Sequence, residues 1–339
     1  MQQITKQNTE LNQVEYGLFS LFLNHYIKKA ESGKILTKKG KKFSESTLRG
    51  YEMLKKWYGE FIIFMEKENP ENEDVNFDLP IYQINYSFGE NFYVYLVNET
   101  NLTKNSIAII IDKFKAIMNY AFKKGVAYWN GAGLIAPTEK STQTYLSKEE
   151  INNLRIDTLT PSENKILDIQ IIQSFTGLRI STLKKFLSSP TAYIKEYDGH
   201  SYIDIIEKKT EQQSTVPFGN IVADILRKHG GSIIVPSEQY INRVLKSIAQ
   251  KAGLENSIVD RKTIKGETIE RLIPKSQKIS THTNRRTLIS LMTEAKFHSS
   301  EIMPISGHST EKQMLNYVKL ENVTKISGIL GDDFFNKII

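Results

Sequence analysis

The chain contains no cysteine, which excludes disulfides, thiolate zinc sites and cysteine nucleophiles, and suits a cytoplasmic location. It has no apolar run near the roughly 20 residues needed to cross a bilayer, so no membrane partner is expected. The opening Met1-Gln2-Gln3-Ile4-Thr5-Lys6 lacks the apolar stretch of a secretory leader. Its six histidines (His25, His200, His229, His282, His298 and His308) do not have zinc-type spacing. No pair of carboxylates stands beside a predicted buried strand, so a metal nuclease is not expected and neither a metal nor a cofactor is called for. Internal repeats and low-complexity tracts are also missing.

What remains is a soluble composition with a basic balance. The 339 residues, 40% hydrophobic and 24% charged, are enough for two domains with sizeable cores. The formal net charge of +7 points to a polyanion as partner, because clustered Lys and Arg release counterions from nucleic acid.

Hydrophobic periodicity predicts a helical first half. One helix is expected over Tyr16 to Ala30, with Leu18, Leu21, Phe22 and Tyr26 apolar and Gly33 as a stop. A second begins near Ser46 and carries Leu48, Tyr51, Leu54, Tyr58, Phe61 and Met65 on one face. A short third covers Glu90 to Val97. The fourth runs from Lys104 to Lys124, closed by Gly125. Between the first two lies a lysine-rich run in which Lys38, Lys39, Lys41 and Lys42 either contact backbone phosphates or line a solvated loop.

Periodicity lapses from Asn130 to Ser147, which reads as a linker, and Ser147-Lys148-Glu149-Glu150 resembles a capping box opening the next domain. The second half begins with helices over Lys148–Leu154 and Ser162–Thr176. Strands follow at Tyr193-Ile194, Tyr202–Ile206 and Thr215–Phe218, with Asp198-Gly199-His200 as the first turn and Lys208-Lys209 at the second. Helices resume over Asn220–His229, Ser237–Ala252, Asn284–Ala295, Ser299–Ile305 and Glu311–Val318. The charged segment Val259–Lys278 is an extended excursion or hairpin. The fold class is therefore mainly α with a small antiparallel β-sheet, in two domains.

The second half also carries an ordered set of groups suited to phosphate chemistry: Arg179, Lys209, His282, Arg285, His308 and Tyr317. Attack on a phosphodiester builds negative charge on the non-bridging oxygens, and fixed donors aimed at that charge are worth about 10²–10³ in rate each. Arginine pairs two phosphate oxygens at once and stays charged. Arg285 follows His282 by one helical turn, so both are expected on one face. A hairpin lysine can protonate a leaving alkoxide, and Lys209 is preferred over its neighbour Lys208. Tyr317 would be the nucleophile, and each histidine would donate to the phosphate or orient the phenol. Taken singly, each residue has an ordinary reading: a surface ion pair for Arg179, a satisfied histidine for His282, and one of sixteen tyrosines for Tyr317. The joint order and spacing carry the functional reading. Arg286, next to Arg285, is expected to have a structural role.

These residues resemble the tyrosine recombinases, the phage integrase family. The matching stretches are Thr176-Gly177-Leu178-Arg179-Ile180-Ser181, Glu207-Lys208-Lys209-Thr210, Thr281-His282-Thr283-Asn284-Arg285-Arg286-Thr287, Ile305-Ser306-Gly307-His308-Ser309-Thr310 and Leu315-Asn316-Tyr317. The nine-residue step from His308 to Tyr317 is usual in that family. The segment Val259–Lys278 looks like integrases of mobile elements in Bacteroidetes-type bacteria.

The resemblance implies a tail over 1–15, a helical core-binding domain over 16–128, a linker over 129–145 and a catalytic domain over 146–326. An apolar tail over 327–339 would pack on its own domain or on a neighbouring protomer. It implies a site-specific recombinase for integration or excision, acting on double-stranded DNA through a 3′-phosphotyrosyl link. The protein would be a monomer in solution and a homotetramer on synapsed DNA, with accessory DNA-bending or directionality proteins. The alternatives are a type IB topoisomerase-like nicking and closing enzyme, and a non-catalytic DNA-binding regulator. Two departures stand out. The family commonly has a supporting acid three residues after the first arginine, where this chain has Thr182. No arm-binding domain is expected before residue 16.

Overall fold

The structure is a computed structural model and describes residues 17–71, 75–129, 131–207 and 211–319. By contact density the chain forms two units. One takes in the chain up to Ser141 together with Arg261–Arg271, and the other Thr142–Asp260 with the chain from Leu272 onward. Among the described residues no helix is long and apolar enough to cross a membrane.

The first unit is a bundle of α1 (Phe19–Glu31), α2 (Glu45–Glu68), α3 (Tyr86–Asn98) and α4 (Lys104–Lys123). Side-chain caps set three of the starts. Ser44 accepts from the Thr47 N–H, Asn85 from the Phe88 N–H and Thr103 from the Ser106 N–H. The Asn85 cap explains why α3 begins four residues before the expected Glu90. The expected face of α1 needs correcting. Leu21 is exposed, and the buried stripe is Phe19, Phe22, Leu23, Tyr26, Ile27 and Ala30, the set that repeats at three and four residues.

Aromatic rings fill this core. Phe19 meets Tyr58 and Phe114 at 4.5 and 5.5 Å between centroids, and Phe61 meets Phe92 and Tyr95 at 5.2 and 5.1 Å. Each such ring contributes about 1.5–3 kcal/mol by burial.

The second unit opens with α5 (Lys148–Asn153), whose expected capping box is present: Ser147 Oγ accepts from the Glu150 N–H, and Glu150 Oε2 accepts from the Ser147 N–H. A second box, Thr160 with Glu163, and Pro161 at the first helical position start α6 (Pro161–Thr176). Gly177 ends α6 in the left-handed conformation (φ 63°), and α7 (Ile180–Ser188) follows at once with Arg179 as its N-cap.

The strands β1 (Ile194–Tyr197), β2 (His200–Ile206) and β3 (Gln213–Pro217) make one antiparallel sheet in sequence order, with Ile203 facing both Ile194 and Val216. α8 (Asn220–Lys228) and α9 (Glu238–Lys251) come next.

Residues 259–278, expected to be irregular or a hairpin, contain most of the two-stranded sheet β4 (Ser257–Ile264) and β5 (Glu267–Pro274) and a short 3₁₀ turn. Its two-residue turn, Lys265 and Gly266, has both φ values positive, as a type I′ hairpin turn requires.

α10 (Thr281–Glu294) starts three residues before the expected Asn284, because Ser280 and Thr283 bond reciprocally there. α11 (Ser299–Ser306) ends at a left-handed Gly307. α12 is shorter than expected, covering Glu311–Leu315 rather than reaching Val318. Tyr317 therefore sits in the turn after a helix and not within one, its N–H donating to Met314 O at 2.8 Å.

Candidate active site

The site is built where α6, α7, β2, β3, α10 and α11 come close together in the second unit. The corner between α6 and α7 is made by Gly177, whose missing Cβ would lie 2.6 Å from Leu288 Cδ2. Gln173 on α6 secures this corner, donating to Leu178 O at 2.9 Å and accepting from Asn284 Nδ2 at 2.8 Å. Arg179 emerges from the corner with a largely buried side chain.

Arg285 is 1% exposed, among the largest fully buried side chains of the chain. Its Nη1 donates to Gly177 O at 2.8 Å and to Glu207 Oε1 at 3.3 Å, and its Nη2 donates to Ser306 O. One guanidinium thus ties the α6–α7 corner, the end of β2 and the C-terminus of α11. Desolvation, and then the charge of Arg179, lower its pKa from the ordinary arginine range to about 10, while Glu207 opposes the shift.

Glu207 is fully buried. Its Oε2 lies 3.3 Å from Arg179 Nη1 and accepts from Thr182 Oγ1 at 2.6 Å. The sequence reading did not give this residue a role, although the signal was there. Ile203 and Ile205 are the buried positions of β2, and Glu207 is the next in that two-residue alternation, so the pleat points it inward. Gly307 permits close approach from the other side, since a Cβ there would lie 2.6 Å from Ser214 Oγ and 3.4 Å from Glu207 Cγ.

His308 follows Gly307 and is 9% exposed. Burial, and then Arg285 and Arg179, depress its pKa to about 3, so the ring is neutral at physiological pH. Ser306 Oγ donates to Ile302 O at 2.8 Å and lies 2.9 Å from His308 Nδ1. The single hydroxyl proton is thereby committed to the carbonyl. The network assigns the imidazole proton to Nδ1 and leaves Nε2 as an acceptor. That Nε2 is buried and has no hydrogen-bond partner among the described residues.

The His308 and Tyr317 rings are 4.7 Å apart between centroids, and Arg285 Cζ is 5.6 Å from the Tyr317 ring. The structure therefore brings Arg179, Arg285, His308 and Tyr317 together, with Glu207 beneath the arginines.

The remaining expected residues are less central. His282 is exposed on the first turn of α10, one turn before the buried Arg285, so a shared helix face does not mean shared burial. Lys208 and Lys209 lie outside the described residues, as do residues 1–15 and the apolar tail. Arg286 is half-buried. Burial lowers its pKa and the Tyr317 phenol opposes that shift, so it adjoins the site. Lys38, Lys39, Lys41 and Lys42 belong to the first unit, exposed on a loop closed by the Thr37 N–H to Lys41 O bond of 2.8 Å.

Comparisons with known proteins bear on this arrangement. Residues 6–131 match the phage integrase SAM-like domain family. No curated protein sequence matches the chain. Among solved structures, the XerH site-specific recombinase bound to palindromic difH substrate, a post-cleavage complex, aligns with a TM-score of 0.61. It has 12% identity, covering 84% of this chain and 80% of that one. The Tn1549 transposon integrase in complex with circular intermediate DNA gives 0.56 at 13% identity, covering 93% and 99%. A lambda integrase tetramer bound to a Holliday junction gives 0.58 at 16% identity, covering 91% and 80%. Residues 6–131 thus match a phage integrase SAM-like domain, and the chain as a whole has the fold seen in these recombinase and integrase structures.

Proposed function

We propose that this chain is a site-specific DNA recombinase that cuts and rejoins strands through Tyr317. The observation that carries the reading is the meeting of two largely buried guanidiniums, Arg179 and Arg285, with the rings of His308 and Tyr317. Arginines so little exposed are costly unless an anion uses them, and a phosphodiester matches their planar donors.

The chemistry follows from the groups present. The two arginines hold the non-bridging oxygens of the scissile phosphate. Tyr317 Oη attacks phosphorus, and its proton passes to His308 Nε2, the acceptor left by the Ser306 network. Burial first, and then the two arginines, hold that imidazole's basicity down, and the arriving phosphate anion offsets the arginines' share. The bond from phosphorus to the 5′ oxygen breaks, Lys209 protonates the departing alkoxide, and a 3′-phosphotyrosyl link remains. Attack by a 5′ hydroxyl from a partner duplex reverses the step. One phosphoester replaces another, so no nucleoside triphosphate is consumed. His282, at the exposed edge of α10, donates to the phosphate from outside.

Double-stranded DNA is the substrate, and Lys38, Lys39, Lys41 and Lys42 contact its backbone. The lambda integrase tetramer on a Holliday junction supports a four-protomer synapse of this chain, and the Tn1549 transposon integrase supports a role in moving a genetic element.

A DNA duplex nicked close to the scissile phosphate tests this directly. Escape of the short fragment should strand the protein covalently on the 3′ end, and Tyr317→Phe should form no adduct. Undiminished adduct from Tyr317→Phe would overturn the assignment of the nucleophile.

A further inference from the structure

We infer that Glu207 is the positioning acid of this site, standing in from the end of β2 for a carboxylate that α7 does not provide. The inference rests on the recombinase reading and adds to it a residue with its own contacts. Three facts converge. The position one helical turn after Arg179 holds Thr182, which is uncharged and fully buried. Thr182 Oγ1 donates at 2.6 Å to Glu207 Oε2, so the place where a helix-borne acid would sit is bonded to one arriving from the sheet. Glu207 then divides its two oxygens, Oε2 to Arg179 and Oε1 to Arg285, both at 3.3 Å.

This division has a physical purpose. Two guanidiniums close enough for the charge of one to lower the pKa of the other repel each other before any phosphate arrives. A carboxylate that takes one donor from each holds both forks in place at a net charge of +1 for the trio. Ser214 Oγ, 3.5 Å from Oε1, and the Gly307 close approach keep the carboxylate from swinging away. Glu207 does not itself touch the phosphate and acts through the arginines.

The location also links the acid to the expected leaving-group donor. Glu207 stands two residues before Lys209 in the sequence, and its N–H donates to Gln212 O at 2.8 Å.

The test moves the charge back to α7. Single-turnover cleavage of the nicked duplex is measured for wild type, Glu207→Gln, the double variant Glu207→Gln with Thr182→Asp, and the control pairing Glu207→Gln with Thr182→Asn. Thermal melting and DNA binding are followed for each. Glu207→Gln should bind DNA as wild type does but cleave about 10²-fold more slowly, the scale of one misplaced transition-state donor. The aspartate pairing should recover to within about tenfold of wild type, and the asparagine pairing should not. A glutamine variant that cleaves at the wild-type rate overturns the inference. So does an aspartate pairing that folds yet cleaves no faster than the asparagine control, since Glu207 would then be packing and not charge. Should the aspartate pairing fail to fold, the glutamine rate alone decides. A wild type that never cleaves would instead count against the recombinase reading itself.

Discussion

At the scale of single residues, the site is governed by how buried charges are neutralised. Arg285 is 1% exposed, and its hydrogen bonds go to two backbone carbonyls and one carboxylate. A cation so enclosed costs several kcal/mol unless its donors are satisfied. His308 responds in the opposite way by giving up its proton. Its pKa is lowered to about 3, chiefly by burial and then by the arginines. A ring whose folded pKa lies below its free value near 6.5 contributes stability that is fully present above that free value. The contribution is lost as pH falls toward 3, because the unfolded chain takes up a proton that the folded one refuses. Nitrogen chemical shifts of His308 in the DNA-free protein should therefore show no titration between pH 5 and 8. A midpoint near 6.5 would mean an open, solvated imidazole and would remove it as an acceptor fixed by Ser306.

At the scale of elements, backbone reversals matter more than helix propensity. Gly177 and Gly307, both left-handed, each let a chemistry-bearing residue follow a helix with almost no intervening loop. Alanine at 177 would face an unfavourable φ and a contact of 2.6 Å with Leu288. Gly177→Ala should lower stability by about 1–3 kcal/mol, read as a drop in urea midpoint at constant slope. Pairing it with Leu288→Ala should return the part due to the clash. No change in midpoint would mean that the α6–α7 corner is not pinned as described. The Gly177 stop was legible in the sequence, since glycine at the end of an apolar-periodic segment has a fixed meaning. Leu21 shows where the sequence fell short. Leu21 and Phe22 both read as apolar, and only packing decided that α1 turned Phe22 inward and left Leu21 exposed.

At the scale of the whole molecule, the chain carries a net charge of +7, and five lysines between 34 and 42 stand exposed on the first unit. DNA affinity should fall steeply with salt, by about 0.9 log units per log unit of salt for each phosphate contacted. Replacing Lys38, Lys39, Lys41 and Lys42 together by alanine should reduce that slope by roughly 2–4 if these side chains meet the backbone. An unchanged slope would return the run to a solvated loop. The division into two units carries a similar lesson. A hairpin is one of the two readings the sequence allows for Val259–Lys278, but its grouping with the helical unit follows from contacts between residues more than a hundred positions apart, such as Thr263 Oγ1 to Glu139 Oε2 at 2.6 Å.

The sequence by itself determined the helical first half, the three-strand sheet, the Ser147–Glu150 capping box and the ordered cation set, because these depend on periodicity, local hydrogen bonding and spacing. Tertiary structure alone decided which groups share a space. It buried Arg285 while leaving His282 exposed, placed Tyr317 in a turn, and carried Glu207 under both arginines. The physical reason is that a charge is read locally as solvated. Only the assembled packing shows that water has been replaced by a partner from another element.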